Sequence, residues 1–142
     1  MIKQPLKAFV LFFLWVALIE DTGLFLMSWL APDAWFHGFH QSEPAGLDLA
    51  FLRRSGGQWA AFALAQAIAL RRWRAQPLWL VMVAGARFSD LFTDLSYVLT
   101  APSLTTFGWI ALVPPPLLNL IFIVVMLLGY RQATAPALAA PR

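Results

Sequence analysis

Three stretches of this chain, residues 5–30, 77–100 and 107–130, are each long and apolar enough to cross a lipid bilayer as a helix. A spanning helix needs about 20 residues, because its rise of about 1.5 Å per residue must cover a hydrocarbon core about 30 Å thick. No water-soluble fold of 142 residues can hide three such segments. Composition agrees: 61% of the residues are hydrophobic and 12% charged, against about 45–50% and about 25% in soluble domains. The chain is read as one all-α domain, an integral membrane four-helix bundle over residues 1–131.

The fourth helix is the least defined. Residues 57–73 form an Ala-rich apolar run that ends at Arg71-Arg72-Trp73-Arg74. This helix is short for a span unless residues 47–52 join it. The others have clear stops: Ala31-Pro32-Asp33 after the first and Pro102 after the third. Residues 132–142 are Ala/Pro-rich and are expected to be disordered. Lys3 and Lys7 flank an apolar run as in a signal peptide. The sequence that follows, Glu20-Asp21-Thr22-Gly23, lacks a small-x-small cleavage pattern, so the first helix is expected to be retained.

Basic residues set the orientation. With four spans, Lys3, Lys7, Arg71, Arg72, Arg74, Arg131 and Arg142 all fall on one side. Only Arg53 and Arg54 fall on the other, together with Asp33, Glu43 and Asp48. Both ends are therefore expected in the cytoplasm. The net charge of +3 is explained by this clustering at helix ends, and no nucleic-acid partner is expected. The chain has no cysteine, which excludes disulfides, iron–sulfur clusters and thiolate metal sites. Trp35, Phe36 and Phe39 make residues 33–40 look like a segment lying in the membrane interface.

Polar residues inside the spans carry the functional information. Arg87, Asp90, Asp94 and Tyr97 follow one another by three, four and three, so they share one helical stripe. An ionised group at mid-bilayer costs about 2.5–3.5 kcal/mol on insertion scales, so this stripe must face the bundle or a wet cavity. Glu20 and Asp21 on the first helix and Asn119 on the fourth fall near the same depth, with Gln66 nearer the inner face. Four carboxylates exceed what one guanidinium can neutralise. Arg87 is expected to pair with Asp90, Asp94 or Glu20, and the remaining acids must be protonated, wet, or paired with a ligand or cation. Two roles are open for this layer: a structural network, or a cavity that binds a proton, a cation or a small amphiphile. The candidate ligand- or proton-binding residues are Glu20, Asp21, Arg87, Asp90, Asp94 and Asn119.

Other motifs are weaker. Pro114-Pro115-Pro116 removes three successive backbone donors and is expected to interrupt or kink the last helix. His37 and His40 could hold a metal only with partners such as Asp33 or Glu43, and no metal site is assigned. No nucleophile elbow, phosphate-binding loop or dinucleotide fingerprint appears. No catalytic residue and no cofactor is assigned.

Leu52-Arg53-Arg54-Ser55-Gly56-Gly57, the Ala-rich helix, the basic turn and Ala84-Gly85-Ala86-Arg87 with Asp90 resemble the DoxX-like small four-helix bacterial proteins. That resemblance implies a four-helix bundle in a bacterial inner membrane. Ala17-Leu18-Ile19-Glu20, Gly23 and Leu26-Met27 are similar to the first helix of the small multidrug resistance transporters, whose glutamate exchanges protons for cationic drugs. The later aromatic and glycine motifs of that family are missing here. Pro114-Pro115-Pro116-Leu117-Leu118 and the apolar run after it look like the last helix of the sterol-isomerase-like group. The expected function is non-enzymatic: a small-ligand binder, or an accessory subunit of a membrane complex, with lipid, other membrane subunits or a second copy as partners. The alternatives are a proton-coupled transporter and an intramembrane isomerase using paired carboxylates.

Overall fold

The computed structural model describes residues 3–101 and 103–138, which contain five α-helices, one π-helical turn and no strand. The helices are α1 (Gln4–Leu30), α2 (Gly46–Arg72), α3 (Leu78–Thr100), α4 (Thr106–Leu112) and α5 (Pro115–Leu138); the π-helical turn, Ala34–Phe39, lies between α1 and α2. Only residues 73–77 separate α2 from α3, whereas residues 31–45, with the π-helical turn among them, join α1 to α2. α1 packs closely along α2 and α3 along α5, while the α2–α3 and α1–α5 contacts that join these two pairs are sparser.

Helix α2 begins at Gly46, eleven residues before the boundary expected from the Gly-Gly pair at 56–57. Asp48 in the first turn accepts a 3.4 Å hydrogen bond from the Ala45 N–H, and its charge lies at the favourable end of the helix dipole. The glycines do not break the helix because one of them is needed inside it. A Cβ on Gly56 would collide with Ser28 Oγ and the Trp29 ring of α1, so only glycine permits this close approach. Gly57 faces open space.

The proline run interrupts the last helix as its missing donors predict. α4 ends at Leu112, and α5 starts at Pro115. Pro115 and Pro116 fall in the first turn of α5, where the N–H groups would lack helical partners in any case. Helical bonding resumes at Leu118 N–H to Pro114 O, 3.1 Å. The segment expected to be disordered from Gln132 instead continues α5 to Leu138, and residues 139–142 lie outside the described residues. Thr134 Oγ1 donates to Tyr130 O at 3.0 Å within this extension. α3 stops at Thr100, with Ala101 extended as a residue before proline should be; Pro102 itself lies outside the described residues.

The π-helical turn does not lie flat on an outer surface. Trp35, Phe36 and Phe39 are buried, and Trp35 packs against Trp59 of α2 with ring centroids 5.5 Å apart. The turn is tied to the start of α4: Thr105 N–H donates to Phe39 O at 3.0 Å, and Thr105 Oγ1 donates to Gly38 O at 2.6 Å. The same hydroxyl caps α4 by accepting from Gly108 N–H at 2.9 Å.

Buried apolar side chains form two separate clusters. One, around Leu14, Leu80, Phe122 and Met126, fills the half of the bundle near the α2–α3 turn. The other, around Trp35, Phe36, Phe39 and Leu52, fills the opposite end. The outward faces are apolar as well: Phe9, Phe12, Ile19, Leu117, Val124 and Leu128 are all exposed. Two segments, Gln4–Leu30 and Thr106–Ala135, are long and apolar enough to cross a membrane; α3, expected to be a third, falls short of that mark because Arg87, Asp90 and Asp94 interrupt its apolar run.

Candidate functional site

Between the two apolar clusters lies a layer of polar side chains contributed by four helices. Its centre is Arg87 on α3, only 3% exposed. One guanidinium nitrogen, Nη2, bonds the carboxylate of Asp21 on α1. The other, Nη1, donates to Asp90 Oδ2 at 3.1 Å, one turn along α3, and to Asn119 Oδ1 on α5 at 3.4 Å. Gln66 Nε2 on α2 donates to Asp21 Oδ2 at 2.7 Å, which draws the remaining long helix into the network. Asn119 Nδ2 donates to Asp94 Oδ2 at 2.8 Å. The Phe122 ring lies 5.6 Å from the guanidinium carbon, close enough for a cation–π contact.

The six sequence candidates all fall in or beside this layer, but with different roles from those expected. Arg87 does pair with Asp90. Its second close acid is Asp21, which was not among the expected partners Asp90, Asp94 and Glu20. Adjacent helical residues point about 100° apart, so Glu20 and Asp21 cannot be equally buried. Asp21 points inward, at 1% exposed, while Glu20, its side chain 41% exposed, forms the longer ion pair expected across the bundle, Oε2 to Arg87 Nη1 at 3.9 Å. Asp94, also named as a possible partner for Arg87, bonds Asn119 instead. Gln66, expected nearer the inner face and not among the six candidates, belongs to the layer through Asp21. The available signal was its isolation as a polar residue within an otherwise apolar, Ala-rich stretch.

The layer is not fully satisfied. Among the described residues, Asp21 Oδ1, Gln66 Oε1 and Arg87 Nε are buried and have no hydrogen-bond partner. Above the layer, toward the π-helical turn, the helices leave a cavity of about 720 Å³. Its floor carries Glu20, Asp21, Arg87, Asp90 and Asp94; its walls and roof carry Trp35, Phe36, Phe39, Trp59 and Tyr97. A second, smaller gap of about 130 Å³ opens between α1 and α5 and is lined by Glu20, Arg87 and Asn119. Glu20 and Arg87 thus border both spaces.

The two histidines do not converge. His40 is buried; its Nδ1 lies 2.9 Å from Ser103 O, a contact that requires the proton on Nδ1. Nε2 is then free to accept the Tyr97 hydroxyl, its partner on the cavity wall. His37 faces outward, 3.1 Å from Glu43 Oε1 and 3.0 Å from Asp33 O. The hydrogen bond to Glu43, with the Asp33 carbonyl behind it, favours the protonated ring and raises the His37 pKa above its ordinary value.

Chemically, the arrangement offers a desolvated carboxylate-rich floor, one guanidinium engaged by its neighbours, and an aromatic enclosure large enough for a small organic molecule. The chain matches no protein-family model, no curated protein and no solved structure.

Proposed function

We propose that this chain is a four-span protein of a bacterial inner membrane, with both ends cytoplasmic, that binds a small amphiphilic molecule within its bundle. In this reading lipid covers the apolar outer faces, and the two sides of the bundle follow the asymmetry of Lys and Arg. α4 and α5 together make the fourth span. The DoxX-like resemblance fits the same architecture.

The observation that carries the reading is the cavity of about 720 Å³ with a charged floor and an aromatic roof. Its volume lies within the range of about 300–1,000 Å³ typical of small-molecule sites. A purely structural polar layer would be closed and fully hydrogen-bonded; here an open cavity sits directly against partly bonded carboxylates.

Native mass spectrometry of the protein extracted in mild detergent tests the proposal, using the wild type and Ala111→Trp, which projects an indole from the cavity wall. The expected result is a small-molecule adduct on the wild type that is lost from the variant. A wild type without an adduct, or one whose adduct persists unchanged in the filled variant, would overturn the reading.

A further inference from the structure

Resting on that ligand-pocket reading, the chemistry of the cavity also defines what it takes. We infer that its ligand is an amphiphilic organic ammonium, with N–H donors seated on the acidic floor and an apolar body held among the aromatic rings.

Charge is the first argument. The cavity is lined by Glu20, Asp21, Asp48, Asp90 and Asp94 but by only one arginine, Arg87. That guanidinium is already engaged by Asp21 and Asp90 and packed against the Phe122 ring. Its Nε has no partner, but the charge is already shared between two carboxylates, and an incoming anion would meet the surrounding acids. When the acids are ionised the unmatched charge is negative, and a cation placed above the floor compensates it.

Hydrogen bonding is the second argument, and it is independent of the charge count. Asp21 and Asp90 are more than nine-tenths buried, and both border the cavity. Asp21 Oδ1 has no partner, and the Asp90 carboxylate accepts only through Oδ2 among the described residues. Asp94 likewise accepts only through Oδ2, from Asn119. The floor thus has acceptor capacity to spare, and the buried, unpartnered Asp21 Oδ1 calls for a donor. An ammonium supplies three donors and no acceptor.

The third argument is the enclosure. Trp35, Trp59 and Tyr97 gather on one wall, Trp35 lying 5.5 Å from Trp59 and 6.2 Å from Tyr97 between ring centroids. Aromatic faces attract cations through their quadrupoles and bury an apolar body equally well. The small gap between α1 and α5 borders the same floor at Glu20 and Arg87.

Three probes of one shape separate the possibilities: 2-phenylethylammonium, 2-phenylethanol and 3-phenylpropanoate, each titrated against the protein in neutral maltoside micelles at pH 7. Thermal unfolding and indole fluorescence report binding. The expected result is that the ammonium binds at least about tenfold more tightly than the alcohol, the size of one charge-assisted hydrogen bond, and that the propanoate does not bind. Glu20→Gln and Asp94→Asn, each checked for native helicity, should lower the ammonium-to-alcohol affinity ratio by about tenfold. Glu20 lies outside the buried Arg87 pairs, so its variant is expected to keep the fold. Equal affinity for ammonium and alcohol would overturn the ammonium inference while leaving the pocket intact. Preference for the propanoate would also overturn it and make Arg87 the anchor. If no probe binds the wild type, both the inference and the pocket reading fail.

Discussion

Replacing Arg87 with leucine tests the polar layer most directly. The substitution deletes the partner of Asp21 and Asp90 at once, together with the 3.4 Å bond to Asn119 and the contact with Phe122. Both carboxylates are left buried, with Gln66 the remaining donor to Asp21. Breaking one buried ion pair costs about 3–5 kcal/mol, chiefly because a charge is stranded away from water. Protonation of the stranded acids limits the loss, so the lower part of that range is expected even though two pairs break. Against a total stability of about 5–15 kcal/mol, this is a large fraction. It corresponds to a fall of about 10 °C in the unfolding midpoint for a chain of this length. Thermal unfolding in detergent, followed by helicity and tryptophan fluorescence, measures it. The second half of the test is rescue: Arg87→Leu combined with Asp21→Asn and Asp90→Asn removes the stranded charges and should recover most of the loss. An Arg87→Leu protein as stable as the wild type would refute the reasoning. So would a triple variant no better than the single one, which would show that packing of the arginine, and not its charge, was being measured.

Glycines 56 and 57 should respond oppositely to alanine. Gly56→Ala forces α1 and α2 apart at Ser28 and should destabilise by about 1–3 kcal/mol, whereas Gly57→Ala meets nothing and should stabilise by about 0.5–1 kcal/mol; thermal unfolding of both variants decides. The His37 ring should titrate above its ordinary range by NMR, and Glu43→Gln should return it toward that range. Because the folded pKa is raised, this contact stabilises fully below the unfolded histidine value and fades as pH rises through the folded one. The opposite sign, a contact strengthening with alkali, would remove the Glu43 assignment. For the proposed topology, the absence of native cysteine makes single introduced cysteines unambiguous reporters. Position 43 should label from outside intact cells and positions 72 and 131 should not, and external labelling at 72 would overturn the orientation.

Much of the architecture was legible because apolar runs, proline breaks and helical spacing are local signals. The stripe of Arg87, Asp90 and Asp94 followed from spacing alone, and the interruption at the proline run from its missing backbone donors. What was missed depended on neighbours. The early start of α2 was hidden because Gly56 reads as a helix terminus until Ser28 and Trp29 occupy the space its side chain would fill. The choice between Glu20 and Asp21 turns on which way α1 is rotated, and an α1 apolar on every side gives no clear face to orient it. The inward fold of Trp35, Phe36 and Phe39 is likewise set by distant contacts, at Trp59, Tyr97 and Thr105. The Tyr97–His40 pair joins residues 57 positions apart and has no local signature.

The hydrogen-bonded layer also settles a matter on which apolar side chains are silent. Leucines and phenylalanines repeating along a helix make one turn much like the next, so such a helix surrounded by apolar groups can slide with little penalty. Asp21, Gln66, Arg87 and Asn119 stand on four different helices and must meet at one height. A slip of one turn, about 5.4 Å, carries any of them out of bonding distance. The layer is therefore an index mark: it tells each helix where along its axis to stop, and with that it fixes how much room remains above for the cavity.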